Sequence, residues 1–548
     1  MAGLPALPAD RLDSWKEIAA YLNRGVRTVR RWEHEEGLPV HRQLHRTLGS
    51  VYAYRSEIDA WRKTGERRAA ARTAVVSGAA PAGLTAIVVL PFANLSDDPE
   101  NAYFADGLTD EVTADLSKLK ALRVISRTSS MALKDTTKDV KTIARELGVR
   151  YILEGSVRRA GRRLRITAQL IDASTDDHLW ADKYDGTVED VFAFQEQLAR
   201  VIVAALQLRL SPDEDRRLAE RPVSNLQAYE CYLRARQEGW RWRKDAIDHA
   251  IQLLHRGLEL EGDCAALFAA LGLAHLQRRE AGLDFSERPL ADAEACVQKV
   301  LALEPASAAG LQLRGWIHYS RGRVQEAVRD LKAALEIDAS NPDTLGLLSN
   351  CYLISGQVPA GRTIIARLMA VDPLTPINRC MPGFADIMEG RFAAALDPYR
   401  QMFEMDLGNP MTRLFYIWVL ILNGQADTVA SLVASFPAEV RDTVPARLAS
   451  FLAQALAGNA AGAQAALTPD IEAAATASEL FPRVLAQGYA VAGLPDRALY
   501  WLEIAVARGF INYPFLAIYD PFLVSLRTHP RFLSLLELAR GRWERFEP

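Results

Sequence analysis

The chain has 548 residues, 65 Lys and Arg against 68 Asp and Glu for a formal charge of −3, and is 49% hydrophobic and 24% charged. That balance excludes disordered and collagen-like chains, and the length allows three or four domains of ordinary size. Five cysteines, widely spaced and without a Cys-x-x-Cys pair, argue against a disulfide framework and structural zinc; they read as buried thiols in a reducing cytoplasm.

The charge is unevenly spread: residues 1–72 hold 14 Lys and Arg against 9 Asp and Glu, net +5, which leaves 51 against 59, net −8, for the remainder. A small phosphate-binding module joined to an acidic, partner-binding body gives this asymmetry. Ser14 and Glu17 form a capping box, and Trp15, Ile18, Ala19 and Leu22 fall at the spacing that puts all four on one face of a helix. Asn23-Arg24-Gly25 breaks that helix, and Val26, Val29 and Trp32 begin a second apolar stripe. Arg27, Thr28, Arg30, Arg31 and His34 are left on the outside of the second helix, where major-groove readers place their base contacts. From Val40 to Arg46 apolar and basic residues alternate, and Thr47-Leu48-Gly49-Ser50 turns the chain into Val51-Tyr52-Ala53-Tyr54, so a basic β-hairpin, or wing, is predicted. A third short helix from Ser56 to about Lys63 offers Ile58 and Trp61 to close the small core.

The run Trp15-x-x-Ile18-Ala19-x-x-Leu22, Arg27-Thr28-Val29-x-Arg31-Trp32-Glu33, Gly37-Leu38-Pro39-Val40-His41-Arg42 and Val51-Tyr52-Ala53-Tyr54 resembles the winged helix-turn-helix domains of the MerR/excisionase class, over residues 12–63. The resemblance implies a domain over 1–72 that binds double-stranded DNA. Lys16, Arg24, Arg27, Thr28, Arg30 and Arg31 are its expected contacts from the helices, and His41, Arg42 and Arg46 those from the wing. A linker over 73–84 follows, interrupted by Gly78, Pro81 and Gly83. The chain shows neither a signal-peptide pattern nor an apolar run long enough to span a membrane, so a cytoplasmic location is expected.

Over 85–210 an α/β domain is predicted: strand Ala86–Pro91, helix Tyr103–Lys118, strand Leu122–Ser126, helix Val140–Leu147, strands Val149–Arg158, Arg163–Ala173 and His178–Thr187, and helix Val191–Leu210. Its segments Val89-Leu90-Pro91-Phe92-x-Asn94-Leu95-Ser96, Phe104-Ala105-Asp106-Gly107-Leu108-Thr109-Asp110-Glu111 and Tyr151-Ile152-Leu153-Glu154-Gly155-Ser156-Val157 resemble the TolB N-terminal-like domain. That resemblance implies a place between a DNA-binding module and helical repeats and brings no ligand with it. Asp106, Asp110, Glu111 and Asp115 lie on or near one helix face and are read as helix-terminal acids that offset the macrodipole, in preference to catalytic groups. His178 is read as a strand residue. With no phosphate loop, zinc-protease helix, nucleophile elbow or kinase signature, neither enzyme activity nor a cofactor or metal is expected.

A second linker, 211–222, leads to residues 223–548. Here Gly322, Gly356, Gly390, Gly424 and Gly458 recur every 34 residues and Gly493 follows at 35, the period of the tetratricopeptide repeat (TPR). Ala327, Gly361 and Ala395 keep step as small residues at the helix crossing, and Asp338, Asp372 and Asp406 end the second helices. Earlier, Gly272, Glu304 and Pro305 fit a repeat lengthened by about nine residues in its hairpin, Ala281–Leu290. Seven or eight helix pairs are expected, with Pro521, Pro530 and Phe532 in a capping end. The predicted fold is thus multidomain: a small winged helix-turn-helix, an α/β domain and an all-α TPR superhelix. In repeat register Trp316, Tyr319, Asn350, Phe384 and Trp418 face inward, either to grip a protein or peptide partner or as packing residues.

The function expected of this order is a DNA-binding transcription regulator whose repeats bind a protein or peptide. The alternative is a TPR scaffold of a signalling assembly with no specific DNA site. Any homodimer is expected to form through the α/β domain or the repeats, because residues 64–84 carry no sustained heptad.

Overall fold

The computed structural model describes residues 11–12, 14–21, 39–43, 50–55, 58, 84–96, 98 and 101–548. The chain divides into two compact units, Met1–Ala79 and Ala80–Pro548.

In the first unit, β1 (Arg11–Leu12) precedes α1 (Trp15–Tyr21), and β2 (His41–Gln43) and β3 (Ser50–Tyr54) follow. The strands form an antiparallel sheet in the order β1-β3-β2, with His41 opposite Tyr52 and Arg42 opposite Val51. Ser14 starts α1: its Oγ accepts the Glu17 N–H at 3.2 Å and donates to Glu17 Oε1 at 3.3 Å. Leu12, Ile18, Ala19, Ala53 and Ile58 are buried together, with Trp15, Tyr21 and Val40 against them. The helix predicted over Val26–Glu36, the wing turn and Trp61 lie outside the described residues.

The second unit opens with a sheet of β4 (Thr85–Val89), β5 (Ala93–Asn94), β6 (Leu122–Val124), β7 (Tyr151–Ala160), β8 (Arg163–Asp172) and β9 (Asp177–Thr187). Its order is β6-β4-β7-β8-β9, with β5 beside β7; β6, β4 and β7 are parallel, and β7, β8 and β9 antiparallel. Helices α2 (Ala102–Ser117), α3 (Arg127–Met131), α4 (Val140–Leu147) and α5 (Val191–Ala205) complete the layer structure. One face of the sheet, through Leu153, Val157, Leu164 and Ile166, packs on α2 and α5. The other is covered by α4 only at its parallel end, through Val88, Ile125, Ile143, Leu147 and Ile152. The antiparallel part of that second face is therefore open, and Ser156, Thr167, Gln169 and Lys183 line a groove of about 1040 Å³ along it.

Two expectations shift. Helix α5 stops at Ala205, five residues before Leu210, where Gln207 takes a left-handed φ of +55°. The segment 211–222 is more than a linker: it carries α6 (Pro212–Ala219), capped by a reciprocal Ser211–Glu214 box.

Eight helix pairs follow: α7 (Leu226–Gly239) with α8 (Lys244–Glu261), α9 (Ala265–Glu280) with α10 (Arg288–Leu303), α11 (Ala308–Ser320) with α12 (Val324–Ile337), and α13 (Pro342–Ile354) with α14 (Val358–Val371). Then come α15 (Pro376–Met388) with α16 (Phe392–Met405), α17 (Pro410–Leu422) with α18 (Ala426–Ala434), and α19 (Val444–Leu456) with α20 (Ala460–Ala466). Helix α21 (Pro469–Ala477) leads to the last pair, α22 (Leu480–Val491) and α23 (Pro495–Ala507), and α24 (Pro530–Glu544) ends the array.

The six periodic glycines sit just past the first helix of each pair from the third to the eighth, with φ between +71° and +77°, a conformation that caps a helix and strains any residue with a Cβ. At Gly424, Gly458 and Gly493 a Cβ would meet open space, so backbone conformation alone selects glycine there. At Gly322, Gly356 and Gly390 it would also strike Ala507, Trp543 and Tyr519. The array thus curls until its C-terminal helices lie against its own third to fifth repeats. The Ile511 N–H donates to Ile354 O at 3.0 Å, and Asn512 Nδ2 to Leu353 O at 2.9 Å.

Candidate nucleic-acid and partner surfaces

Of the residues expected to meet DNA, Lys16 is exposed on α1, and the His41 ring stacks on Tyr52 across the β2–β3 pair, with centroids 5.1 Å apart. Arg42 occupies the middle of β2. Arg24, Arg27, Thr28, Arg30, Arg31 and Arg46 lie outside the described residues.

The acidic run of the α/β domain has a different role from the one expected. Asp106, Asp110 and Glu111 fall in the body of α2, beyond the first turn where a macrodipole acts, and Asp115 falls in its last turn. Each has a specific cation instead. Lys134 reaches Asp106 at 2.7 Å, Arg127 pairs with Asp110, Arg236 of α7 reaches Glu111 at 3.0 Å, and Lys118 reaches Asp115 at 2.8 Å. Helix α2 is thereby fastened to the first repeat helix; Gly107 admits the Leu233 side chain at the same contact. Burial pushes the Glu111 carboxyl up to about 7, outweighing the attraction of Arg236. Burial also disfavours the charged form of Arg236, but Tyr232, Asp110 and Glu111 outweigh it and hold the guanidinium firmly protonated.

A second seam lies between α3 and the loop after α14. Ser126 and Ser129 both donate to Asp372 Oδ1, the latter at 2.6 Å, and the Ser126 N–H donates to Val371 O at 2.7 Å. Arg123 adds a bond to Ala370 O. Asp372 was legible as the residue that ends a repeat; its serine partners, some 240 positions earlier, carry no sequence signal that pairs them with it.

The five inward-facing repeat residues are engaged within the chain. Trp316 packs against the cluster of Leu276, Leu290, Val297, Leu313 and Ile317, Asn350 Nδ2 donates to Tyr319 Oη at 3.1 Å, and Tyr319 Oη lies 3.4 Å from Glu479. Phe384 and Trp418 are buried, and Trp418 Nε1 donates to Gln487 Oε1 at 2.8 Å. Between them sits Arg483, 2% exposed, its guanidinium 5.3 Å from the Phe384 ring, 5.5 Å from Trp418 and 4.6 Å from Phe510. Arg483 lies inside the glycine period but ten residues before Gly493, one helical turn earlier than the inward positions six residues before Gly322, Gly356, Gly390 and Gly424, so spacing does not single it out; its cation completes a cluster that joins α15 and α17 to α22.

The architecture is that of a multidomain chain in which an α/β region is followed by a long TPR-like helical array. Residues 318–377 match the tetratricopeptide repeat family, and residues 84–201 match the family described as HilA/YgeH-like transcriptional regulator, second domain. A regulator domain followed by TPR repeats fits a regulator with a protein-interaction array. The chain is 47% identical over 190 residues to the Rhizobium meliloti (strain 1021) protein provisionally named adenylate cyclase 3; the match takes in 35% of this chain and 32% of that protein, so the chain spans about a third of the relative. Among solved structures, a thermophilic TPR protein of Thermus thermophilus is 16% identical with a TM-score of 0.30, covering 35% of this chain and 99% of that one. TolB from Acinetobacter baumannii is 18% identical with a TM-score of 0.18, covering 23% and 29%. Among the described residues no helix is long and apolar enough to cross a membrane, and no cluster of His, Cys, Asp or Glu is arranged to hold a metal ion.

Proposed function

We propose that the chain is a non-enzymatic transcription regulator of the cytoplasm. Its N-terminal unit binds double-stranded DNA as a MerR-like winged helix-turn-helix, and its second unit, a TolB-like domain joined to the repeats, binds a protein or peptide and pairs two chains. The observation that carries the reading is the order of parts: a net basic segment with a capped helix and a β2–β3 hairpin precedes a region matching a transcriptional-regulator family, and TPR repeats follow. Tyr319, Phe384 and Trp418 already meet Glu479, Arg483 and Gln487 of the array's own later repeats, and Trp316 and Asn350 are engaged with neighbouring repeats, so the partner is read as meeting the array elsewhere. The activity in the name of the Rhizobium relative is left with that protein, two thirds of which has no counterpart in the matched segment.

The test is a gel shift of the full chain with its own upstream DNA across a salt series. Arg27→Ala is expected to relax discrimination between sequences, losing about 1–3 kcal/mol where its base contact is bidentate. Arg42→Ala is expected to weaken all sequences alike and make the salt dependence shallower. Absence of any sequence-dependent shift would favour the scaffold reading.

A further inference from the structure

The hairpin between β7 and β8 carries Arg158, Arg159, Arg162, Arg163 and Arg165 within eight residues. Arg159 turns inward, where it reaches Glu230 at 2.6 Å and Tyr103 at 2.7 Å. The other four are exposed. Because side chains alternate along a strand, Arg158, Arg163 and Arg165 project from the face opposite Val157, Leu164 and Ile166, which are buried under α5. This is the open face of the sheet, and Lys183 of β9 shares it, opposite Thr167.

The register makes this arrangement unfavourable for a merely structural surface. Arg158 stands directly opposite Arg165, and like charges in that position destabilise a sheet. Asp185 offsets Arg165 at 2.5 Å and lies 3.3 Å from Lys183, and Glu189 pairs with Arg162. Arg158 spends its Nε on the Leu95 carbonyl oxygen at 3.0 Å, and Arg163 has no acidic partner among the described residues. Three successive cross-strand rows, led by Lys183, by Arg158 with Arg165, and by Arg163, therefore present four cations against the single acid Asp185. Rows on one face repeat every two residues, about 6.6 Å apart, and a guanidinium fork matches the oxygens of a phosphate.

We propose that this face is a second DNA contact, one that grips the phosphate backbone of double-stranded DNA without reading sequence. It rests on the reading of the chain as a DNA-binding regulator, and adds to it a site on the second unit. Contacts from guanidinium and ammonium groups to phosphate carry no sequence information, so the contact adds affinity equally to every sequence.

The experiment uses the full chain and two labelled duplexes of about 30 base pairs, one of random sequence and one from the chain's own upstream DNA, from about 50 to about 200 mM salt. The double variant Arg158→Glu with Arg163→Glu is expected to bind both duplexes at least about tenfold more weakly and to lower the salt slope by about 2, with thermal stability kept. Arg158→Lys with Arg163→Lys is expected to restore most of the affinity. Arg27→Ala with Arg31→Ala, in the first unit, is expected instead to remove the difference between the two duplexes. If the wild-type chain binds DNA and the Glu variant keeps its affinity and slope, the hairpin contact is overturned while the DNA-binding function stands. If the wild-type chain binds neither duplex, both are overturned. Loss of binding to vesicles of anionic phospholipid, with duplex binding unchanged, overturns the contact in favour of a lipid surface.

Discussion

Ser129 Oγ donates a hydrogen bond to Asp372 Oδ1 at 2.6 Å and accepts one from the Leu374 amide at 2.9 Å, so one hydroxyl ties the α/β region to the loop between two repeats. Asp372 is 3% exposed and also accepts from Asn378 Nδ2 at 2.7 Å. Asp372→Ala strands the buried Ser126 and Ser129 hydroxyls, while Asn378 Nδ2 keeps the Asp372 carbonyl oxygen at 3.3 Å, and the change is expected to destabilise the second unit by at least about 1–3 kcal/mol. Urea unfolding measures this, and a change of no more than about 0.5 kcal/mol, usual for a surface substitution, would remove the seam from the account.

The periodic glycines separate two effects. Gly424→Ala meets only the left-handed backbone, at φ +71°, and is expected to lose about 1–2 kcal/mol. Gly390→Ala has a similar φ of +75° but also places its Cβ 2.7 Å from Tyr519 Cδ1, so its loss is expected to be larger. Thermal melts of the two variants compare them directly; equal losses would mean that the C-terminal segment contributes nothing at Gly390.

Stability is expected to fall as pH rises from about 4 towards 7. Burial pushes the carboxyls of Glu111 up to about 7 and of Asp343 and Asp520 up to about 6, above their unfolded values, so between those limits these groups bind more protons in the folded chain than in the unfolded one. Glu111 faces Arg236, Asp110, Asp115 and Lys118, and Asp520 accepts from Gln487 at 2.8 Å with Arg483 nearby. Asp172 has the opposite sign: Arg150 holds it down to about 2, so its contribution is lost only in stronger acid. Urea melts at pH 5 and pH 8 check the direction, and Glu111→Gln is expected to flatten the slope between them. A slope that stays as steep in that variant would assign the effect to other groups.

Local features were readable in the sequence because each rests on residues that are neighbours in the chain. The Ser14–Glu17 cap, the Val140–Leu147 helix and the glycine period each express a short-range requirement: a donor to satisfy, an apolar face, or a positive φ. The seams were not readable, since Glu111 and Arg236 are 125 residues apart and Ser129 and Asp372 are 243 apart, and nothing local distinguishes an interdomain acid from a helix-terminal one. The same limit applies to the inward residues of the repeats. Their spacing put Phe384 and Trp418 on the inner face, but only the curl of the array shows that α22 fills the space in front of them.

That filling gives the last expectation. Arg483 lies within 6 Å of three ring centroids, and its guanidinium is 4.0 Å from Glu479, which is 8% exposed and whose carboxyl burial raises. Arg483→Met keeps much of the side-chain volume and removes the charge, which leaves Glu479 buried beside Tyr319 without its cation; a broken buried pair typically loses about 3–5 kcal/mol. The loss is expected to shrink at acid pH, because Glu479 without Arg483 is pushed further up and can take a proton there. Adding Glu479→Gln is expected to recover most of the stability, since a buried ion pair replaced as a whole is often neutral. Urea unfolding of the single and double variants at pH 5 and pH 8 decides it. A single variant equally destabilised at both pH values, with no recovery in the double, would show that Arg483 acts through ring contacts and packing alone.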